Sequence, residues 1–371
     1  MRTFRITLLA AFLFAANTLW AQRFLGGDIS LLPSYEKAAT QYRTEKGKVK
    51  PALQLFKEDG GWNSARVRIF VDPSNARAES KDEGVCQDLP YVTELCKQIK
   101  QSGMSLMLDF HYSDTWADPA HQTTPKAWLQ ADIAALGDSV YQYTRKVLEA
   151  LKEEGAAPDM IQVGNEITNG MLWPTGHVDP TQDDIRWSVL ASFLRQGVKA
   201  CREVCPKAKI IIHTERAGDW DVTKSYYESL LNHGVDYDIV GLSYYPMWHK
   251  DIPNLSRTLD SLDVHFPNKE VMIVETAFYY SHENDRWVTD KQQHSDLYPI
   301  TPEGQAQFTR ELVTMLNGHD NVTGLYWWFA EENESGKPVM DSWLNRGLFD
   351  NHTGRALPAF YELEKFGDKG R

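Results

Sequence analysis

The sequence is short of positive charge: against 51 Asp and Glu, its 371 residues carry only 39 Lys and Arg, a formal net charge of −12. Such a surface repels polyanions instead of releasing counterions from them, which excludes a phosphate-backbone binder and counts against a strongly acidic substrate. There is no apolar run of the roughly 20 residues that a bilayer-spanning helix needs. No Pro- or Ser-rich linker, composition break or repeat divides the chain, so one domain is the simplest organisation. Cysteine is scarce, and Cys86, Cys96, Cys201 and Cys205 have no nearby partners for a metal centre. The last two lie four residues apart in CREVC, a poor disulfide spacing unless the helix ends there, as Pro206 implies. All four are expected to be unpaired or locally paired structural residues.

The N-terminus has the pattern of a secretory signal peptide. Arg2 and Arg5 precede an apolar run from Ile6 to Ala16, and small residues around Ala21 offer a cleavage point. Residues 1–21 are therefore expected to be removed and 22–371 to form the mature domain, exported to the periplasm or the outside of the cell. Aromatic residues are plentiful, with 12 Trp, 16 Tyr and 15 Phe. Flat aromatic faces on an acidic protein favour neutral sugars as ligands.

Short β-branched and apolar runs alternate with helix-like stretches. Strands are expected at about Arg23–Ser30, Ala65–Val71, Met104–Phe110, Asp159–Asn165, Ala208–Thr214, Asp238–Tyr244, Val271–Thr276 and Val322–Phe329. Between them, Leu89–Ser102 and Ala135–Lys152 carry apolar residues at helical spacing. Eight strands alternating with helices predict an α/β fold, a single-domain (β/α)8 TIM barrel, with a doubly wound open sheet as the rival. In such a barrel, functional residues sit where the strands end at the C-terminal face.

The strand ends are rich in chemistry. The third delivers DFHYSDTWADPAHQ, crowding Asp109, His111, Tyr112, Asp114, Trp116, Asp118, His121 and Gln122 into one loop. His111, Asp114 and His121 match none of the usual metal-ligand spacings. The fourth strand ends in Asn165-Glu166 and the seventh in Glu275. Two carboxyls facing one barrel mouth are what glycoside hydrolysis requires, provided that their environments differ enough for one to keep its proton while the other stays ionised. Arg68 could hold the charge of such a nucleophile or only stabilise a core carboxylate. His213, at the fifth strand end, is a candidate donor to a ligand. Of Tyr244 and Tyr245, one is expected to reach the nucleophile and the other to pack. Trp327 and Trp328 alternate across the last strand, so only one faces the mouth.

At these residues the sequence resembles glycoside hydrolase family 53, the endo-β-1,4-galactanases. DFHYSDTWADPAHQ, QVGNEITNGMLWP, GLSYYP and VETAFYY carry the resemblance in order over nearly the whole mature chain. It implies retaining hydrolysis of the β-1,4-galactan (type I arabinogalactan) side chains of pectin, with Glu166 as acid/base, Glu275 as nucleophile and Asn165 bonding the sugar 2-hydroxyl. Arg68, Asp109, His111, Trp116, His213, Tyr244 and Trp328 are the expected substrate-binding set. Two departures concern the sugar floor: YWWFAEEN replaces the family's usual Tyr-Trp-Glu-Pro-Ala-Trp run, and Phe70 stands where Trp is common. Some bacterial members hold calcium after the seventh strand. Here SHENDRWVTDKQQH offers Glu283, Asp285 and Asp290 but lacks the dense ligand alternation, so calcium is not expected and no cofactor is required. The expected partner is the polysaccharide alone, with no nucleic acid and no membrane span, acting on a monomer. The competing readings are a related endo-glycanase acting on mannan or glucan, and a catalytically inactive sugar-binding barrel.

Overall fold

In the computed structural model, which describes residues 22–182, 185–283 and 296–368, the near-continuous apolar strands lie parallel and are covered by helices, as strands buried on both faces require. They are β1 (Phe24–Gly27), β2 (Ser64–Ile69), β3 (Ser105–Phe110), β4 (Met160–Val163), β5 (Lys209–Thr214), β6 (Ile239–Tyr244), β7 (Glu270–Thr276) and β8 (Val322–Trp327). Every neighbouring pair in the order β1-β8-β7-β6-β5-β4-β3-β2 is parallel. The seam between β1 and β2 closes just above the strands, where Ile29 N donates to Arg66 O at 3.1 Å and Asp28 bridges Arg66. A closed (β/α)8 barrel results, not the open sheet. The expected signal peptide lies outside the described residues. Among those residues, no helix is long and apolar enough to cross a membrane.

The helices begin where the sequence provides caps. Asp88, Asp132, Asp219, Asp251 and Thr301 each accept a backbone N–H at the starts of Leu89–Gln101, Ile133–Glu153, Trp220–Asn232, Ile252–His265 and Pro302–Asn317. Four expected strands end early: β2 stops at Ile69 instead of Val71, and the other three stop for local reasons. After Gly26, where a Cβ would lie 2.1 Å from Ser64 O, the chain leaves β1 at Gly27 for the helix Leu32–Lys37. Beyond β4, Gly164 at φ 90° and Glu166 at φ 48° turn the chain out of the sheet. Beyond β8, Phe329 adopts φ 51°. All four cysteines are free, with Cys96 and Cys201 in the core.

Candidate active site

Strand parity decides which side chains enter the barrel. Met107, Met160, Ile211, Ile239, Met272, Val274 and Tyr326, all from strands, form an apolar plug separate from the main core. One step further along the same faces come Asp28, Arg66, Asp109, Gln162 and His213, a fully buried polar layer. Arg66 holds it together: Nη1 donates to Asp28 Oδ2 at 2.9 Å, and Nη2 donates to Asp109 Oδ2 at 2.8 Å and Asn165 Oδ1 at 2.9 Å. Gln162 Nε2 donates to Asp109 Oδ1 at 2.5 Å. Buried charges persist only when paired in this way.

Above that layer opens a cavity of about 850 Å³ whose wall includes both Glu166 and Glu275. Two backbone irregularities aim them. Glu166 adopts φ 48° and ψ 50°, a left-handed conformation uncommon for a non-glycine residue. Glu275 follows a bulge in β7: against both neighbours that strand carries one extra residue between Ile273 and Thr276. Val274 faces the plug, and the bulge lets the next residue face the mouth as well.

The two carboxyls have opposed surroundings. Glu275 Oε1 lies 2.9 Å from Arg66 Nη2, and Oε2 accepts from the Tyr245 hydroxyl at 3.0 Å. Among the described residues no cation pairs with Glu166; its Oε1 accepts from Ser243 Oγ at 2.6 Å. Burial raises both carboxyls above the usual range. For Glu166 the charges of Glu275 and Glu215 push further the same way, and it is held well above that range, whereas Arg66 opposes the rise at Glu275. The first proton to leave the pair therefore leaves Glu275, and Glu166 keeps its own.

Of the other expected residues, His111, Trp116, Asn165 and Trp328 line the cavity. Ala117 N donates to His111 Nδ1 at 3.0 Å, so the ring proton is on Nε2, 3.1 Å from Asp109 Oδ2. Asp109 belongs to the buried layer beneath. Arg68 does not reach Glu275: it donates to Asp28 Oδ1 at 2.8 Å, with its guanidinium between the rings of Trp116 and Phe329. The charge-holding arginine is Arg66, two residues earlier on the same strand face. His213 is fully buried behind Glu166 and does not contact the cavity. Tyr244 points outward and donates to Lys250 O at 3.0 Å; Tyr245 is the tyrosine that reaches Glu275. Trp327 packs outward, its Nε1 donating to Arg346 O at 2.7 Å. Phe70 is buried beside His111 and Trp116. Glu283 pairs with His352 Nε2 at 2.9 Å, while Asp285 and Asp290 lie outside the described residues.

The cavity also holds residues not anticipated, among them Glu215, Trp248, His249, Trp343 and Arg346. Glu215 was legible, because it continues the inward parity of Ile211 and His213. Trp248 is 54% exposed, an open aromatic face on the β6 side. Arg346 lies 4.5 Å over Trp328 and 5.0 Å over Trp343, bracing the opposite wall.

The family described as glycosyl hydrolase family 53 matches residues 24–363. A probable arabinogalactan endo-β-1,4-galactanase A from Neosartorya fischeri is 34% identical over 320 residues, covering 82% of this chain and 83% of its own length. The family 53 catalytic domain of Ignisphaera aggregans superposes with a TM-score of 0.84 at 30% identity, covering 92% of this chain and 95% of that one. A fungal β-1,4-galactanase structure superposes with a TM-score of 0.76, also at 30% identity, covering 93% and 100%.

Proposed function

The chain belongs to glycosyl hydrolase family 53 and is a glycoside hydrolase, and from that premise we propose that it is a retaining endo-β-1,4-galactanase releasing galacto-oligosaccharides from the galactan side chains of pectin. The observation that carries the mechanism is the asymmetry of the two carboxyls. Glu275, charged against Arg66 and Tyr245, attacks C1 of the sugar while Glu166 gives its proton to the glycosidic oxygen; the C1–O bond breaks and a galactosyl ester of Glu275 remains. Glu166 then takes a proton from water, whose oxygen attacks C1, and the ester breaks with net retention. Trp116 and Trp328 supply apolar faces for sugar rings on one side of this point, and Trp248 on the other. We propose that residues 1–21 direct export, that 22–371 act as one catalytic domain, monomeric and without a cofactor, and that the enzyme works outside the cytoplasm.

Glu166→Ala is expected to lose activity on galactan by roughly 10²- to 10⁴-fold, and azide should restore part of it by forming a β-galactosyl azide. An α-linked azide product would contradict the retaining route. Substrate class is tested by reducing-sugar release from linear β-1,4-galactan, mannan and glucan. Galactan should be cleaved fastest, and faster release from mannan or glucan would overturn the galactanase reading.

A further inference from the structure

Behind Glu166 lies a chain of hydrogen bonds with a fixed direction. The backbone N–H of Glu166 points at His213 Nδ1 at 3.3 Å, and the Gln162 amide nitrogen lies 2.9 Å from the same atom. The Gln162 orientation is forced, since that nitrogen also donates to the Asp109 carboxylate while its oxygen accepts from Arg66 Nε at 3.4 Å. Asn165 Oδ1, an acceptor from Arg66, also lies 3.0 Å from Nδ1, but a ring nitrogen that receives a backbone N–H holds a lone pair, so the proton of the neutral imidazole sits on Nε2. Nε2 lies 2.8 Å from Ser243 Oγ. With that lone pair of Ser243 occupied, its hydroxyl proton points to Glu166 Oε1, 2.6 Å away. Burial, helped by the Arg66 charge, pulls His213 well below its ordinary value and keeps the ring neutral.

We infer that His213 and Ser243 are positioning residues that hold the Glu166 proton on Oε2, the oxygen left free for the glycosidic bond. Ser243 donates to Oε1, and a carbonyl oxygen accepts more strongly than a protonated one, so the proton is favoured on Oε2. During the first step the proton moves from Oε2 to the leaving oxygen, and Ser243 stabilises the carboxylate that forms. During the second, Oε2 takes the proton of the attacking water. Ser243 and His213 keep their own protons throughout. With the other tautomer of His213, Ser243 would donate to the ring and Glu166 would donate to Ser243, turning the acid away from the substrate.

The pH response follows from everything that faces Glu166. Glu275 from β7, Glu215 from β5 and Asp118 from the β3 loop raise its pKa; Ser243 from β6 lowers it. Tyr245 on β6 and His213 on β5 are neutral. Removing the Ser243 donor takes away a hydrogen bond that favours the charged form, so the pKa rises and the alkaline limb of kcat/KM moves upward.

The inference rests on Glu166 being the acid, which azide rescue of Glu166→Ala tests separately. Ser243→Ala in the full-length enzyme is expected to lower kcat/KM on galactan by roughly 10- to 100-fold and to move the alkaline limb up by about one pH unit. On an aryl galactobioside whose dinitrophenolate leaves without protonation, kcat/KM should stay within about twofold of the unmodified enzyme. Ser243→Cys, similar in size but a weak donor, should behave in the same way and serves if the alanine variant unfolds. Equal losses on both substrates, or an unmoved limb, would overturn the relay and leave Ser243 a packing residue. Absent azide rescue would remove the acid assignment itself.

Discussion

Glu275→Gln is expected to slow galactan hydrolysis by about 10⁴-fold or more while the protein still folds and still binds galactan. The substitution keeps the shape of the side chain but removes the nucleophilic oxygen, so the ester cannot form and the reaction loses its route and not only part of its rate. Its fold should survive because the change removes a buried charge that stands among others: Asp109 and Asp28 both push the Glu275 carboxyl upward, and Arg66 keeps those two partners when Glu275 becomes neutral. Binding should survive because the aromatic faces of Trp116, Trp328 and Trp248 are untouched. Initial rates from product chromatography, with affinity electrophoresis in galactan gels for binding, separate the effects. Activity within tenfold of the unmodified enzyme would remove Glu275 from the nucleophile's place.

Glu166 and Glu275 were legible because each closes an apolar strand, and an acid placed there has little reason to exist except at a barrel mouth. The details around them depended on parity and on its interruptions. Arg66 and Arg68 share one strand face, so alternation could not say which reaches across to β7; the answer lies in depth, and the deeper of the two spans Asp28, Asp109 and Glu275 while the upper one is taken up by Trp116 and Phe329. Tyr244 was mistaken for the inward tyrosine although the alternation Ile239, Gly241, Ser243 leads to Tyr245. The same alternation through Ile211 and His213 leads to Glu215. Glu275 itself would face outward by strict alternation from Met272 and Val274, and only the bulge, which no residue pattern announces, brings it round. The galactose preference was never in the spacing of any residue. It came from long motifs, and relatives matched over most of the chain carry that activity in their names.

Arg66→Met is expected to destabilise the folded protein by about 3–5 kcal/mol, enough to lower its melting temperature by roughly 5 °C, and to abolish activity in whatever remains folded. Methionine fills a similar volume, so the loss is electrostatic and not a cavity. Asp28 keeps Arg68 and Asp109 keeps His111 and Gln162, but the charge shared among Asp28, Asp109, Asn165, Gln162 and Glu275 is gone. The pH dependence carries the sign. In the unmodified protein Asp109, despite its burial, is held below the ordinary carboxylate range by Arg66 and His111. Its contribution is therefore present above the unfolded pKa of about 4 and is lost as pH falls through the lower folded value. Without Arg66, burial governs: the folded pKa of Asp109 rises above its unfolded one, and that of Glu275, already above, rises further. Stability is then lost as pH rises through them, so the melting-temperature deficit should be larger at pH 8 than at pH 5. Arg66→Lys, a point charge that cannot fork to the same set of oxygens, should fall between the two in both stability and rate. Thermal unfolding of the three proteins at both pH values is the measurement. A methionine variant that melts within about 2 °C of the unmodified protein at pH 8 would mean that the polar layer is held by its hydrogen bonds and not by its one shared cation.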